Sequence, residues 1–321
     1  MEQQKEPTKF TDYDTFFKTH HPPPRLAECE NVVREFVKKH LKTDRRVVLV
    51  TSGGTTVPLE RQTVRFVDNF SNGTRGATSA EYFLENGYAV IFMHRQFSNQ
   101  PYSRHYSHTT NCFLDYLEIQ GGANIGVDPQ YVSSMKSVLA KYRAAKDEGL
   151  LLMIEFVTVS DYLFLLRSTA KCMSKLGERA MYYLAAAVSD FFIPEEKMAL
   201  HKIQSGDGAL TLHMEQVPKM LKPLVDDWAK NGFVVSFKLE TDPNLLIPKA
   251  RNSLHRYGHQ IVVGNLLTTR KACVWLVTRD GQSEFRLTED EINHGVEIES
   301  RIIPELIQRH EKWIRAVRSK L

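Results

Sequence analysis

A glycine-rich segment follows the first apolar run of this chain and combines residue types that bind phosphate. The run at 47–50 is VVLV, and the segment at 51–55 is TSGGT, which contains Gly53 and Gly54. Glycines let backbone N–H groups approach a phosphate closely, and neighbouring hydroxyls can donate to its oxygens. The patterns GxGxxG and GxxxxGKS/T are both missing, so the segment alone predicts neither a dinucleotide-binding turn nor a Walker loop. A tight turn after a strand is an equally good interpretation.

A second polar segment stands directly before a predicted helix. Residues 67–77 read VDNFSNGTRGA and contain Asn69, Ser71, Gly73, Arg75 and Gly76. The free N–H groups and the dipole at a helix N-terminus attract an anion. The segment therefore predicts a phosphate site, with an ordinary N-cap surrounded by surface polar residues as the alternative.

A carboxylate and a lysine follow a third apolar run. The run YYLAAAV at 182–188 contains Ala186 and is followed by Ser189 and Asp190. A carboxylate at the carboxyl end of a strand can bind a ribose hydroxyl or the metal carried by a nucleotide. The loop at about 194–208 contains Lys202 together with one proline and two glycines, which is typical of a flap that brings a cation onto phosphate. A lysine that is only solvated is the alternative.

Two further apolar runs end in polar residues. Phe237 and Lys238 begin the segment FKLETD, and Asn265 ends the segment VVGN. Several polar side chains at the ends of neighbouring strands indicate a site more strongly than any one of them does.

Strand and helix patterns alternate along the chain and would position these segments. The predicted strands cover 47–50, 88–94, 150–157, 180–188, 209–215, 233–238 and 260–263, and the predicted helices cover 25–41, 74–85, 129–146, 160–176, 219–230 and 243–257. A hairpin over 272–278 and 283–287 and an amphipathic helix end the chain. This order predicts an α/β fold, a Rossmann-like, doubly wound and mostly parallel sheet with helices on both faces and a small β-hairpin. Ligands of such sheets bind at the carboxyl ends of the strands.

Composition limits the other classes of function. The 321 residues are 42% apolar and 25% charged, as in globular proteins, and 42 basic against 38 acidic residues leave a formal charge of +4. This balance predicts no nucleic-acid or membrane partner. No apolar run reaches 18 residues, so we expect no membrane span. Residues 1–24 are polar, end in three prolines and predict an N-terminal arm, followed by a single domain over 25–321.

The cysteines and histidines predict no metal site and no disulfide framework. The four cysteines are widely spaced, at Cys29, Cys112, Cys172 and Cys273. Unpaired thiols and a start without a secretory signal predict a cytoplasmic protein. His105 and His108 have no carboxylate at ligand spacing, so a surface loop is the better interpretation.

Taken in order, TSGGT, DNFSNGTRGATSAE, YLAAAVSDF, HKIQS, SFKLETD and VVGN resemble the phosphopantothenoylcysteine synthetase family, the ligases of coenzyme A biosynthesis. The resemblance runs from about residue 45 to the terminal helix and is closest to the eukaryotic stand-alone type. It implies that 4′-phosphopantothenate is joined to L-cysteine in two steps. The carboxylate attacks the α-phosphorus of a nucleoside triphosphate and expels pyrophosphate. The cysteine amine then attacks the mixed anhydride and releases the nucleoside monophosphate.

The resemblance also implies roles for single residues. Asn69 would hold the activated acyl group and serve the cysteine step, and Lys202 would neutralise the α-phosphate. The implied nucleotide-binding residues are Gly53, Gly54, Ala186, Ser189, Asp190, Phe237 and Lys238. The implied residues for phosphate or phosphopantothenate are Ser71, Gly73, Arg75, Gly76 and Asn265. The flap reads KIQS where the bacterial enzymes have KIKK, so only one flap lysine transfers.

The family further implies ATP as co-substrate, with CTP as the alternative. Mg²⁺ would be carried by the nucleotide, with no metal ligand assigned to the protein. The family is dimeric, and we expect dimerisation elements with the flap near the partner subunit.

Two other functions compete with this interpretation. The spelling YxxxK from Tyr142 to Lys146 is that of a short-chain dehydrogenase or NAD(P)-dependent reductase, although the glycine pattern of those enzymes is missing after Val50. A nucleotide-binding regulator without catalytic activity is the other alternative, and it would need neither Asn69 nor Lys202.

Overall fold

A sheet of eight strands lies at the centre of the computed structural model, which describes residues 13–107, 112–122, 124–205 and 208–320. The strands in the described residues are β1 (Val47–Ser52), β2 (Thr56–Pro58), β3 (Phe66–Asp68), β4 (Ala89–Arg95), β5 (Leu117–Gln120), β6 (Asn124–Val127), β7 (Leu151–Phe156), β8 (Ala180–Leu184), β9 (Phe191–Phe192), β10 (Glu215–Gln216), β11 (Phe233–Glu240), β12 (Ile261–Leu266), β13 (Cys273–Val277) and β14 (Gln282–Arg286). The α-helices are α1 (Tyr13–Thr19), α2 (Leu26–Lys42), α3 (Thr74–Glu85), α4 (Val132–Asp147), α5 (Val159–Met173), α6 (Leu221–Pro223), α7 (Pro243–Tyr257), α8 (Glu289–Asn293) and α9 (Glu299–Arg318).

The order of the strands places a change of direction at the middle of the sheet. The order is β14-β13-β12-β11-β8-β1-β4-β7, and the six strands from β12 to β7 are parallel. From β1 the chain adds β4 and β7 on one side and then returns to add β8, β11 and β12 on the other. β13 and β14 form an antiparallel hairpin at the β12 edge. The predicted doubly wound α/β sheet and its terminal hairpin are confirmed.

Helices cover both faces of the sheet. Neighbouring residues of a strand point to opposite faces of the sheet. In β8 the Tyr183 hydroxyl lies 2.8 Å from Ser79 Oγ of α3, on one face. The Tyr182 hydroxyl donates to the backbone carbonyl of Ala170 in α5 at 3.4 Å, on the other face. Every residue of β1 is buried, as its continuous apolar sequence predicts for a parallel strand covered on both faces. This arrangement leaves the ends of the strands as the surface open to ligands.

Two predicted elements between β8 and β11 are wrong. The strand predicted over 209–215 is reduced to Glu215–Gln216, which pairs with β9 outside the main sheet. Its apolar residues Leu210 and Leu212 are exposed, so burial does not hold this segment in a sheet. The helix predicted over 219–230 is only α6 and a π-helical turn, Leu224–Trp228. Pro223 contributes no N–H and crowds the preceding turn, which disfavours a regular helix there.

Several elements near the chain start and in the loops were not predicted from the sequence. The helix α1 lies within the segment predicted to be an arm, and its Phe16 is fully buried against the rings of Phe164 and Phe192. The small hairpins β2–β3 and β5–β6 are also additional. Residues 1–12 of the predicted arm lie outside the described residues.

Candidate active site

The predicted site residues fall in three places: the ends of β1, β8, β11 and β12, the segment that leads from β3 into α3, and, for Lys202, the flap. The ends of β1 and β8 flank the point at which the chain changes direction in the sheet. In sheets of this type the crevice at this point is the usual ligand site, because the loops after the two central strands diverge to opposite faces. The loop after β1 and the segment after β8 nevertheless run side by side here before they separate.

Backbone hydrogen bonds join the loop after β1 to the segment after β8. The Ala187 N–H donates to the Gly53 carbonyl at 2.8 Å, and the Thr55 N–H donates to the Ala187 carbonyl at 3.1 Å. The Ala186 N–H donates to Thr51 Oγ1 at 3.2 Å, and the Ser189 N–H donates to Thr55 Oγ1 at 2.9 Å. The threonine hydroxyls predicted to face phosphate are therefore engaged in holding the two strand ends together.

The backbone at Gly54 is in close contact with the backbone at Asn69. The Asn69 N–H donates to the Thr55 carbonyl at 3.1 Å, and a Cβ added to Gly54 would lie 1.5 Å from the Asn69 carbonyl oxygen. A contact that short is impossible, so only glycine allows the two segments to cross at this distance. The crossing brings the predicted catalytic Asn69 and the predicted nucleotide-binding Gly53 and Gly54 into one place.

The helix α3 begins beside the end of β1 and the loop that follows it. Gly73 is the N-cap, its N–H donates to Ser71 Oγ at 3.3 Å, and its carbonyl accepts from Ser52 Oγ at 3.0 Å. A Cβ added to Gly76 would lie 2.4 Å from Ser52 Oγ, so the helix packs against β1 through the missing side chain. The positive end of the helix dipole thus faces the end of the central strand.

Arg75 is committed to partners within the chain. Its Nη1 donates to Glu299 Oε1 at 2.8 Å, and its Nη2 donates to the Arg270 carbonyl. Glu299 is almost fully buried, and this burial raises the pKa of its carboxyl group although the charge of Arg75 opposes the shift. Arg75 therefore fixes α3 against the start of α9, and its predicted phosphate contact would use a guanidinium that already has a carboxylate partner.

The two polar residues after β8 differ in environment. Ser189 is buried, and its hydroxyl donates to the Phe191 carbonyl at 2.7 Å, so its side chain holds the turn. The Asp190 carboxylate is mostly exposed and pairs with Lys219 Nζ at 3.0 Å. Of the two, Asp190 is the side chain that a ligand can reach.

Neighbouring side chains near the end of β11 point to opposite faces of the sheet. The Phe237 ring packs edge to face on Tyr183, 4.9 Å between centroids, on the face covered by α3. Lys238 points to the other face, where its Nζ lies 3.4 Å from Glu240 Oε1. Burial would raise the pKa of the Glu240 carboxyl, but Lys249 and Lys238 outweigh it and hold the pKa below its usual value. Phe237 and Lys238 therefore do not act on one ligand group from the same side.

Asn265 has an unsatisfied buried atom at the end of β12. Its side chain is 5% exposed, Nδ2 donates weakly to the Val263 carbonyl at 3.4 Å, and Oδ1 has no partner among the described residues. A buried carbonyl oxygen without a donor is unfavourable by about 1–3 kcal/mol. A ligand that donates to Oδ1 would remove this cost.

The flap carries Lys202 on its exposed surface. The Arg61 N–H donates to the Ala199 carbonyl at 2.9 Å, and the Gln62 N–H donates to the Leu200 carbonyl at 3.2 Å. These bonds attach the flap to the loop between β2 and β3, and β3 leads directly to Asn69. None of the ion pairs of the described residues involves Lys202. Gly206 and Asp207 of the flap lie outside those residues.

Two groups at the site were missed in the sequence. Asn99 is buried, its Nδ2 donates to Thr74 Oγ1 in the first turn of α3 at 3.1 Å, and its Oδ1 is unpartnered among the described residues. Arg95 Nη1 lies 2.5 Å from Asp68 Oδ1 and thereby orients the residue before Asn69. Arg95 could have been predicted, because it is a polar residue at the end of a strand, as several of the predicted site residues are. Asn99 lies four residues after that strand, in a loop, and belongs to no recognisable sequence pattern.

The part of the chain that the structure describes contains no group of three or more His, Cys, Asp or Glu side chains able to hold a metal ion. His105 Nε2 lies 3.3 Å from Glu81 Oε2 beside the Arg104–Glu81 ion pair, whereas His108 lies outside the described residues. No described helix is both long and apolar enough to cross a membrane.

Known proteins are similar to this chain in both sequence and fold. The family model of the DNA/pantothenate metabolism flavoprotein C-terminal domain matches residues 154–293. A phosphopantothenate–cysteine ligase of Homo sapiens is 46% identical over 297 residues, which cover 91% of this chain and 95% of the human protein. The chain belongs to the phosphopantothenate–cysteine ligase family. CAB2, the ligase of this name from Saccharomyces cerevisiae, is 43% identical and covers 97% of this chain and 89% of its own length.

Solved structures agree with this membership of the ligase family. A Cab2 mutant in complex with phosphopantothenate-cysteine is 44% identical, with a TM-score of 0.88 over 95% of this chain and 99% of that chain. A flavoprotein of DNA/pantothenate metabolism from Streptococcus pneumoniae, 18% identical with a TM-score of 0.56, shares the fold. The predicted family, in its eukaryotic form, and the predicted enzyme class are confirmed. The dehydrogenase suggested by Tyr142 and Lys146 and the regulator without catalysis have no support.

Replacing Gly54 tests the crossing on which the site of this ligase is built. We expect Gly54→Ala to displace Asn69, because the new methyl group would overlap its carbonyl oxygen. Misplacement of a reacting group by about 1 Å can lower turnover ~100-fold. Steady-state turnover and thermal unfolding would measure the effect. Gly281→Ala is the matched control, since an added Cβ there meets no atom within 4 Å. Equal turnover of the two variants would contradict this role of Gly54.

Proposed function

We propose that this enzyme joins 4′-phosphopantothenate to L-cysteine through an acyl-nucleotidylate, as coenzyme A biosynthesis requires. The observation that carries the proposal is the crossing of Asn69 over Gly54 beside the N-terminus of α3. It supports the proposal because a polar residue and the positive end of a helix dipole meet at the switch point of the sheet. Membership of the phosphopantothenate–cysteine ligase family supplies the substrates.

In the first step the phosphopantothenate carboxylate would attack the α-phosphorus and expel pyrophosphate. Both reacting groups are anionic, so the protein must bring them together and neutralise charge. The N-terminus of α3 and the hydroxyl of Ser71, which accepts from the Gly73 N–H and can still donate, would contact the phosphate groups. Lys202, exposed on the flap and outside every ion pair of the described residues, would supply the cation at the α-phosphate. No protein nucleophile is needed.

In the second step the cysteine amine would attack the acyl carbon and expel the nucleoside monophosphate. Asn69 would hold the activated acyl group, and the backbone crossing with Gly54 limits its movement. Asn265 and Asn99 each present a buried Oδ1 without a partner in the described residues. Both are suited to accept hydrogen bonds from hydroxyl, amide or amine groups of the substrates.

We propose ATP as the nucleotide, with CTP as the alternative that the test must exclude. We assign Gly53, Ala186, Asp190 and Phe237 to the nucleotide on the family resemblance, and the half-buried ring of Phe237 would offer it an apolar surface. Mg²⁺ bound to the triphosphate oxygens would neutralise part of their charge.

We further propose a homodimer formed through the hairpin β5–β6. Ile119 and Ile125 face each other across the hairpin and are 79% and 76% exposed. The helical turn that precedes β5 in the chain also exposes Phe113 and Leu114. An apolar patch of this kind on a small hairpin is typical of a subunit interface.

We propose the cytoplasm as the location of the enzyme. The four free cysteines agree with this reducing compartment.

Pyrophosphate release tests the proposed reaction. With ATP, the pure protein should release pyrophosphate only when 4′-phosphopantothenate is present, and turnover should become sustained only when cysteine is added. CTP in a parallel assay should give a lower kcat/KM. Absence of phosphopantothenate-dependent pyrophosphate with either nucleotide would refute the function, and a preference for CTP would refute only the choice of nucleotide.

Variants of Lys202 and Asn69 should affect different steps. Lys202→Gln removes a charge-assisted phosphate contact. It should raise the activation free energy of pyrophosphate formation by about 2–4 kcal/mol and so slow this step roughly 30- to 900-fold. Asn69→Asp should leave pyrophosphate formation but stall transfer to cysteine, so that the acyl-nucleotide accumulates. Rapid-quench assays separate the steps. Lys197→Gln, on the same flap but paired with Glu215, and Asn86→Asp, at the C-terminus of α3, are controls. Wild-type kinetics in both site variants would exclude these roles.

A charge on the hairpin tests the dimer. Ile119→Glu should convert the dimer to a monomer, because it would bury an unpaired carboxylate in the interface. Light scattering after size-exclusion chromatography would measure the halved mass. Ile292→Glu adds the same charge at an exposed residue of α8 and should leave the dimer intact. A wild-type protein that is already monomeric at micromolar concentration would contradict the proposed interface.

A further inference from the structure

A fully buried carboxylate lies between the hairpin β2–β3 and the flap. Glu60 has no exposed surface, although it follows β2 at the start of a surface loop. Its Oε2 accepts from the N–H groups of Val64 and Arg65 at 3.3 and 3.0 Å, and its Oε1 accepts from Arg65 Nη1 at 3.0 Å. One side chain thus closes the loop that connects the two strands.

The same carboxylate reaches the flap. Glu60 Oε1 accepts from the Ile203 N–H at 3.4 Å, and Arg65 Nη1 donates to the Ile203 carbonyl at 3.0 Å. Glu60 and Arg65 therefore hold both polar groups of the peptide backbone at Ile203. Lys202, the cation assigned to the α-phosphate above, is the residue directly before it. The backbone hydrogen bonds from Arg61 and Gln62 attach only Ala199 and Leu200, which precede Lys202 in the flap.

All partners of Glu60 are donors, so its ionised form is the one that fits. Burial alone would raise the pKa of Glu60, but the N–H groups of Arg65, Val64 and Ile203 and the Arg65 guanidinium outweigh it and lower the pKa. A glutamine in this place would turn an NH₂ group toward donors and leave buried groups unpaired. The interaction therefore depends on the charge as well as on the shape of the side chain.

The hairpin that Glu60 closes is also the support of Asn69. Thr56 of β2 pairs with Asp68 of β3, and Asn69 follows at once. The element that carries Asn69 and the flap segment that carries Lys202 thus meet at a single buried carboxylate. Arg65 and the peptide at Ile203 complete the junction.

We propose that Glu60 is a positioning residue that fixes Lys202 on the flap relative to Asn69 on the hairpin. The proposal deepens the function above and rests on the role of Lys202 given there. Glu60 touches no reacting atom in this role. It limits the positions that Lys202 can take, so that the lysine reaches the α-phosphate without a search through many loop conformations.

Hydrogen exchange tests the junction without any assumption about the reaction. In Glu60→Gln the amides of residues 199–205 should exchange about tenfold or more faster than in the wild type, because the flap loses its anchor. Glu291→Gln is the matched control: Glu291 also accepts from a backbone N–H, that of Thr288, and pairs with an arginine, Arg301, but it lies on α8. Unchanged exchange of the flap in Glu60→Gln would overturn the proposal.

A double-mutant cycle tests the connection to Lys202. Glu60→Gln should slow pyrophosphate formation ~10- to 100-fold with little change in the KM for ATP, whereas a general loss of structure would change both. When Lys202→Gln is already present, Glu60→Gln should cause little further loss, because its effect acts through the lysine. Full multiplication of the two effects would overturn the proposal. A wild-type protein without phosphopantothenate-dependent pyrophosphate would refute the proposed function instead, and the exchange result would still decide the junction.

Discussion

The carbonyl oxygen of Asn69 lies where a side chain at Gly54 would have to be, and the geometry of the proposed active site depends on this contact. Gly54 belongs to the loop after β1, the strand between β4 and β8. That loop is hydrogen-bonded to the segment after β8 through Ala187, and the chain after Asn69 turns into α3 within a few residues. Three parts of the site therefore share one crossing, and none of them can move independently of the others.

The cations at the proposed site differ in whether they have a carboxylate partner among the described residues. Arg75 is paired with the buried Glu299, and Lys238 is paired with Glu240. Both cations are held where the fold needs them. Lys202 lies on the exposed flap, outside the ion pairs of the described residues, and is the cation that we propose for the α-phosphate. Its backbone is nevertheless attached to the hairpin through Glu60, which combines a free side chain with a restrained loop.

The sequence was sufficient to predict the doubly wound sheet because its central strands are buried on both faces. The short, β-branched run VVLV of β1 is typical of such a strand, and alternation with amphipathic helices favours the parallel order. The strand predicted over 209–215 failed because Leu210 and Leu212 alternate with polar residues as in a half-buried strand but lie exposed in a loop. Helix α1 was missed because a single residue, Phe16, supplies its fully buried contact, and a single aromatic residue sets no period.

Prediction of the site was limited in a similar way. Strand-end residues such as Asp190 and Asn265 follow from the position of the strands, and glycines such as Gly54 mark close approaches. The partners of Arg75 and Lys238 could not be predicted, since Glu299 is distant in the sequence and the face of Lys238 depends on strand register. Glu60 was missed for the same reason, because its burial results from a flap more than a hundred residues away.

Transfer of a labelled oxygen would test the proposed chemistry most directly. With ¹⁸O in the carboxylate of 4′-phosphopantothenate, attack on the α-phosphorus and release by cysteine must leave one ¹⁸O in the nucleoside monophosphate. Mass spectrometry of the products should find the label there and nowhere in pyrophosphate. Label in inorganic phosphate together with a nucleoside diphosphate would show activation at the γ-phosphorus and contradict the account.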